Sequence, residues 1–408
     1  MEFLAVIYFV YMFVAFYFLI LTLLLYFKNK QSIFHSPKMT RAYSISVLIP
    51  AYNEEKTLIQ TIKSVMGVDY PNLKEVIIIN DGSKDNTLEI AKSLMGQYKN
   101  LKVINKTNSG KADSLNKAIK FCTGELIVVV DADSYLSRNS FKEVVGFFDD
   151  PKVGAATGAC LVRNTDTFLE KLQAIEYGVI AFTRKILEYI DAIYVIPGTL
   201  AMYRKTALEG TGGFDPKNMT EDIEMTWHLV HDGWRIRMAL GTTVLTEVPN
   251  KLKPWYSQRR RWALGGIQCV NKYKWFFLRR GMLGLFILPF FTLGLILGLV
   301  GLSILAYLFI RRVISSFLLA KYSIATSVPM VTMSDLYITP SVLNYFGIIL
   351  FGLYLVFTLF VLAIMKDKLE EKQSFFNLLF YMTIYLLVYP IVLIASTWHF
   401  LRGKNIWR

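Results

Sequence analysis

SISVLIPAYNEEKTLIQTIKSVM, residues 44–66, decides the fold. Residues 45–49 form a short run of β-branched and aliphatic side chains that suits a strand buried on both faces, and 54–66 has the apolar spacing of a helix. The unit then repeats. Residues 76–79, 101–104 and 126–130 are three more such runs, with helical patterns at 85–94 and 111–121 between them. This alternation predicts an α/β domain whose mostly parallel sheet is covered on both faces. Ligands of such sheets collect at the carboxyl ends of the strands. Polar clusters fall there after every run: Tyr52, Asn53 and Glu54; Asn80, Asp81 and Gly82; Asn108 to Lys111; Asp131 and Asp133. One cluster would be turn chemistry, whereas four after neighbouring strands predict a shared site. Neither GxGxxG nor GxxxxGK[ST] occurs, which argues against a dinucleotide fold or a P-loop.

Of the 408 residues, 54% are hydrophobic and 19% charged. That is too apolar for a disordered or purely soluble chain. Four stretches lack Asp, Glu, Lys and Arg and are long enough to cross a bilayer: 3–27, 282–310, 342–365 and 374–401. The first has no basic leader or small-residue cleavage site and is followed by Lys28, Lys30, Lys38 and Arg41, which predicts a permanent anchor with the next block in the cytoplasm of a multi-pass cell-membrane protein. Segments 311–341, 366–373 and 402–408 carry three Lys or Arg each, so charge leaves the side of the carboxyl terminus open, and Pro289 predicts an interruption of the second stretch. The expected organisation is an anchor at 1–30, a cytoplasmic domain at 31–250, an amphipathic interfacial helix at 251–281 and a membrane region with about three spans at 282–408. The net charge of +14 is accounted for by basic residues beside the spans, without nucleic acid as a partner. Three isolated cysteines and four histidines argue against zinc or a disulfide framework.

Several residue groups could carry chemistry. Asp131 and Asp133 could share a hard cation such as Mg²⁺, or merely cap a turn. Lys111 opens a helix whose amino-terminal N–H groups favour phosphate, although lysine also occurs at helix starts for solubility. Residues 80–83, NDGS, resemble a hairpin turn, but the helical pattern beyond them favours Asp81 as a free acceptor at the site. Thr220, Glu221 and Asp222 could be a cap with an acidic first turn, or Asp222 could be a general base. Gln258, Arg261 and Trp262 share one helical face, offering an amide, a bidentate cation for phosphate and a stacking platform for a sugar ring; an interfacial aromatic belt is the plainer reading. His228 and His231 read as ordinary surface or core histidines.

VLIPAYNEE (47–55), VIIINDGSKDNT (76–87), SGKADSLNKAI (109–119), VVDADS (129–134), GGFD (212–215), TEDIE (220–224) and QRRRW (258–262) together resemble the ordered motifs of the processive family 2 glycosyltransferases, which include cellulose, chitin, hyaluronan and bacterial poly-N-acetylglucosamine synthases. With its single amino-terminal anchor and EKLQAIEYGVI (170–180), the chain is most similar to the last group. The resemblance implies a GT-A type, mixed but mostly parallel sheet joined to transmembrane helices. It also implies an inverting hexosyltransferase that polymerises a UDP-sugar, UDP-N-acetylglucosamine foremost, into a β-linked extracellular polysaccharide and helps to translocate it. On this chain Tyr52, Glu54 and Asp81 would hold the uracil or ribose, Lys111 the diphosphate, and Asp133 with Asp131 a Mg²⁺ or Mn²⁺ ion. Asp222 would be the general base, with Glu221 among the substrate contacts. Gln258, Arg261 and Trp262 would frame the donor phosphates and the end of the growing glycan, and Gly198 would lie where that acceptor passes. The implied partners are the UDP-sugar, the glycan and the bilayer. The low span count motivates a small membrane subunit or self-association. The tail GKNIW (403–407) is similar to the cytoplasmic tail of some members, which conflicts with four crossings. The alternatives are a transferase adding one sugar to a lipid carrier, and a non-catalytic secretion or nucleotide-sensing subunit.

Overall fold

A computed structural model describes residues 2–279, 281–326, 342–369 and 374–403. The predicted repeat is present as β1 (Ile45–Ala51), α2 (Leu58–Met66), β2 (Leu73–Asp81), α3 (Thr87–Met95), β3 (Leu101–Lys106), α4 (Lys111–Ile119) and β4 (Leu126–Val129), preceded by the apolar helix α1 (Glu2–Asn29). Helix α2 starts later than its sequence pattern, because Glu54 accepts from the Thr57 hydroxyl at 2.7 Å in a turn ahead of it. The chain continues through β5 (Ser134–Leu136), α5 (Ser140–Val145), β6 (Val153–Val162), α6 (Phe168–Glu188), β7 (Ala201–Arg204), α7 (Lys205–Gly210), α8 (Glu221–His231), β8 (Arg235–Thr246) and α9 (Leu252–Tyr273).

Among the described residues the strands form one sheet in the order β3-β2-β1-β4-β7-β6-β8-β5. The β1–β2, β1–β4, β2–β3 and β6–β8 pairs are parallel, while β7 runs against both β4 and β6. The expected mixed, mostly parallel sheet is therefore present. Alternate residues of each strand enter opposite cores. Leu48, Ile77 and Ile127 pack on one face, and Val47, Val76 and Val128 on the other. Burial on both faces explains why the runs read as nearly continuous apolar sequence rather than as an alternation. Each such side chain contributes about 1.5–3 kcal/mol.

At the amino-terminal end of the sheet Glu75 is a polar anchor. It accepts from the Ser46 hydroxyl at 2.8 Å, from Thr123 N at 2.7 Å and Thr123 Oγ1 at 2.9 Å, and pairs with Lys102 at 2.6 Å. Gly124 is required beside it, because a Cβ there would lie 2.6 Å from Ser46 N.

The remaining helices are α10 (Leu288–Thr326), α11 (Val342–Met365), α12 (Phe375–Phe380) and α13 (Leu386–Leu401). Four helical segments among the described residues are long and apolar enough to cross a membrane. Two expectations about them need correction. The helix of the second apolar stretch does not end with that stretch at the Arg311–Arg312 pair, since α10 carries both arginines and runs on to Thr326. Pro289 does not interrupt the helix either. It lies in the first turn of α10, directly after a π-helical turn at Leu283–Ile287, where its missing N–H is tolerated. The GKNIW tail falls, from residue 404 onward, outside the described residues, as do parts of the expected connections at 327–341 and 370–373.

A buried cluster joins these helices to the sheet domain. Glu176 of α6 accepts from Arg259 of α9 at 2.5 Å, from Tyr385 at 2.8 Å and from Tyr389 of α13, while Trp255 Nε1 donates to Tyr385 at 2.8 Å. An unpaired carboxylate or guanidinium at that depth would be costly, so the three helices are held in one arrangement.

Candidate active site

The polar clusters at the carboxyl ends of β1, β2, β3 and β4 face a common region, closed on its far side by the start of α8 and by α9. Lys111, the first residue of α4, lies at its centre. Its Nζ is 2.6 Å from Asp131 Oδ1 and 2.9 Å from Glu221 Oε1. Burial opposes its charge, but Asp131, Glu221 and Asp222 outweigh burial and push the ammonium pKa up. Gly198 makes this approach possible. Its carbonyl accepts from Asp131 N at 2.9 Å, and a Cβ on it would lie 2.6 Å from Lys111 Nζ and 2.7 Å from Asp131 Oδ1.

Asp133 and Asp222 are the strained acids of this cluster. Burial and the neighbouring Asp131 and Glu54 carboxylates push Asp133 up to about 7. Among the described residues its side chain accepts only a 3.3 Å bond from Ser134 Oγ. Burial and Glu221 push Asp222 up to about 6 against the opposing pull of Lys111 and Arg261, and its Oδ1 accepts from Ile223 N at 2.9 Å. Thr220 does stand at the start of α8, but its hydroxyl makes no cap bond to the helix. Raised carboxyl pKa values of this kind are a mark of functional positions, and here they rest on a cluster of named charges.

The site has two connected chambers. A cleft of about 810 Å³ is lined by Tyr52, Asp81, Lys111, Glu221, Gln258 and Arg261, among others. A second cavity of about 450 Å³ takes in Asp131, Asp133, Gly198, Asp222 and Trp262 and reaches Tyr389 of α13 and Phe291 of α10. Lys111, Glu221, Gln258 and Arg261 border both, so they form the shared wall. Asp133 and Asp222, from opposite halves of the domain, open onto the same cavity.

Not every candidate is placed as the sequence suggested. Asp81 borders the cleft but is not a free acceptor. Ser109 N and Gly110 N each donate to it at 2.9 Å, and Lys106 pairs with it. Its visible work is to tie the loop after β3 to the end of β2, and Gly82 (φ 68°) lets that loop pass, since a Cβ would lie 2.7 Å from Asn108 N. Glu54 stands with the carboxylates rather than with Tyr52. Burial raises its pKa against the Thr57 hydroxyl bond, and Asp131 adds to the rise. In QRRRW, Gln258, Arg261 and Trp262 face the chambers as their spacing requires, whereas Arg259 turns away to Glu176 with its guanidinium 4.0 Å from the Trp262 ring. Tyr177 of α6 lies beside that ring at 6.4 Å between centroids. His228 and His231 lie apart from the chambers, next to Asp232.

Three groups were not singled out from sequence. Asn116 holds the GGFD turn, accepting from Phe214 N at 2.8 Å and donating to Phe214 O at 2.7 Å. Lys106 neutralises Asp81, and Tyr389 of α13 lines the second cavity. Only Asn116 carried a local signal, a polar residue one turn after Lys111 in a helix already assigned to the site.

The residues present fit a divalent cation. Asp133 is a poorly satisfied carboxyl beside two others, yet no group of three or more acidic, His or Cys side chains among the described residues forms a complete metal cage. A hard ion that keeps waters and takes one or two carboxylates plus phosphate oxygens suits such a partial donor set.

Comparison with known proteins gives an independent view of the same region. The family described as Glycosyltransferase like family 2 matches residues 42–265. A poly-beta-1,6-N-acetyl-D-glucosamine synthase of Staphylococcus epidermidis is 31% identical over 367 residues, covering 88% of this chain and 84% of that protein. The protein of the same description from Staphylococcus aureus strain COL is 34% identical over 224 residues, 54% of each chain. Among solved structures, a mannosyltransferase from Pyrobaculum calidifontis in complex with GDP-Man and Mn²⁺ superposes with a TM-score of 0.60 at 20% identity, covering 98% of this chain and 99% of that one. That likeness is one of fold.

Proposed function

The chain belongs to glycosyltransferase family 2, and from that premise we propose that it is a membrane-embedded, processive, inverting transferase that builds a β-linked polysaccharide from UDP-N-acetylglucosamine. The observation that carries this reading is the single cavity onto which Asp133 and Asp222 both open, walled by Lys111 and Arg261 and continuing to Tyr389 and Phe291 on membrane helices. A site for sugar transfer that leads directly towards the bilayer suits a polymer leaving as it grows.

The residues divide the work as follows. Tyr52 and the Asp81 loop border the cleft and receive the nucleoside. Lys111 and Arg261, in the wall between the chambers, face the diphosphate and stabilise the charge that develops as UDP leaves, which is the largest obstacle to the reaction. When bound, a Mg²⁺ or Mn²⁺ ion on Asp133 and Asp131 supplies further charge stabilisation to the leaving diphosphate. Asp222 takes the proton from the acceptor hydroxyl at its carboxylate oxygen as that hydroxyl attacks the anomeric carbon from the side opposite the departing phosphate, so the product is β. Its pKa of about 6 keeps it ionised at neutral pH, yet basic enough to accept a proton. Trp262 and Tyr177 offer the acceptor sugar an aromatic surface.

The basic residues after α1 support a cytoplasmic sheet domain at 31–250, with an interfacial helix at 251–281 and a membrane region of about three spans within 282–408. The protein in lipid nanodiscs, given a panel of UDP-sugars with Mg²⁺ or Mn²⁺, is expected to release UDP and form a β-linked polymer from UDP-N-acetylglucosamine, and to stop when EDTA is added. A product consisting of one sugar on a lipid would sink processivity, and no UDP release from any donor would sink the transferase reading for this chain.

A further inference from the structure

Tyr177, Ile180 and Arg184 lie at i, i+3 and i+7 on α6, and all three line the second cavity, so one stripe of this helix forms part of its wall. Arg184 is an intruder in that stripe. It is 5% exposed, its Nε has no partner, and among the described residues its guanidinium makes no hydrogen bond or ion pair. Other buried cations of the domain have acceptors: Lys185, the next residue, holds Glu188 and Met238 O, and Arg259, although its Nε too lacks a partner, holds Glu176 through its terminal nitrogen. A guanidinium has five N–H donors, and leaving them without acceptors is costly; Arg259 offsets that cost with an ion pair, whereas Arg184 has none among the described residues.

The cavity itself indicates what would satisfy these donors. Asp131, Asp133, Glu176, Glu221, Asp222 and Glu247 on its walls outnumber Lys111, Arg261 and Arg184, so the charge of Arg184 is already balanced through space and an anion arriving without a cation would be repelled. Acceptor oxygens are what Arg184 lacks. An uncharged saccharide supplies these as hydroxyl, ring and acyl oxygens, and the same cavity carries the Trp262–Tyr177 platform on which its ring can lie. From Tyr177 to Arg184 the helix rises about 10 Å, more than one sugar ring occupies.

We propose that Arg184 is an acceptor-binding residue that donates to the oxygens of a second sugar unit, behind the one whose hydroxyl reacts. The inference rests on the transferase reading and adds the class of acceptor: an uncharged glycan of at least two units, rather than a phosphate-bearing lipid. The test compares a β-linked disaccharide of N-acetylglucosamine with the monosaccharide as acceptors, using the full chain in nanodiscs with UDP-N-acetylglucosamine and Mg²⁺. Wild type should show a lower KM for the disaccharide. In Arg184→Gln that preference should collapse through a rise of about 10- to 100-fold in disaccharide KM, with Arg184→Lys recovering part of it. UDP affinity should be retained. The melting temperature of the ligand-free variant should be equal or higher, because a residue held for binding at a cost to the fold is released. A fall in melting temperature with unchanged acceptor preference would make Arg184 structural and overturn the proposal, as would an Arg184→Gln variant that keeps the disaccharide advantage. Transfer by wild type to a polyprenyl phosphate and to no saccharide would instead remove the functional reading beneath it, a result separate from either of these.

Discussion

Two buried carboxylates at opposite ends of one sheet behave in opposite ways. Glu75, at the amino-terminal end of β2, lies where burial disfavours its charge, yet bonds from Lys102, Thr123 and Ser46 hold its carboxyl down to about 2. Asp133, just past the carboxyl-terminal end of β4, is desolvated more fully, has two carboxylates beside it, and is pushed up to about 7. The sheet is shared, so the difference lies in the surroundings: donors around Glu75, deeper burial and other carboxylates around Asp133. Where the fold needs only an anchor it surrounds an acid with donors. Where a phosphorylated donor and a cation are to arrive it leaves acids against one another, and the ligand makes up the deficit. Folding stability is spent at this end for function.

The contrast can be broken from either end, and the largest effect is expected at the site. Asp222→Asn removes the proposed base without adding bulk, so sugar transfer measured by UDP release should fall about 10²- to 10⁴-fold while UDP affinity holds. A variant with normal turnover would show that Asp222 is only part of the acidic cluster. Gly198→Ala tests how tightly that cluster is placed. A Cβ less than 3 Å from both Lys111 Nζ and Asp131 Oδ1 must displace one of them. A shift of this kind should cost transfer about 10²-fold with little change in thermal unfolding, because the displaced groups are side-chain tips rather than backbone.

Much of this arrangement was legible in the sequence, and for a physical reason. Within residues 45–130 the parallel strands β1, β2 and β4 are buried on both faces and so appear as dense β-branched runs, and each ligand-facing loop follows its run at once. The second half of the sheet gave no comparable signal. β6 reads VGAATGACLV because its neighbours come too close for large side chains: a Cβ on Gly154 would lie 2.7 Å from Trp234, and one on Gly158 2.7 Å from Thr242. β7 is only four residues long and runs against its neighbours. Hydropathy marked the membrane helices but not their ends, since α10 continues through Arg311 and Arg312, where charge ends the apolar stretch without ending the backbone pattern. At the site, residue types were readable but saturation was not. Nothing local to NDGS reveals that two backbone N–H groups and Lys106 already occupy Asp81.

At the anchor end the expected effect is on stability. Glu75→Gln keeps one oxygen for Ser46 and Thr123 but turns an amide NH₂ towards Lys102 and removes the charge that all four donors meet. A loss of about 2 kcal/mol in unfolding free energy follows, a figure kept modest because the Lys102 amine is solvent-exposed. Sugar transfer per folded molecule should be unchanged. If transfer falls with stability intact, the two ends of the sheet are coupled and the separation drawn above fails.

The smallest effect, a pH dependence, tests both ends at once. Asp222 works as a base only when ionised, and its pKa lies near 6, so kcat/KM should fall as pH drops through 6 and be about tenfold below its neutral plateau at pH 5. Glu75 has the opposite shift, from the usual 4.5 down to about 2. The stability it contributes is complete above 4.5 and is lost only as pH falls from there towards 2. The two windows do not overlap. Between pH 6 and 5 activity should therefore decline while the melting temperature, followed by intrinsic tryptophan fluorescence, shows no loss from Glu75, and activity should return in full on neutralisation. An acidic limb that tracks the melting temperature instead would assign the lost activity to the fold and take from Asp222 its role as the titrating base.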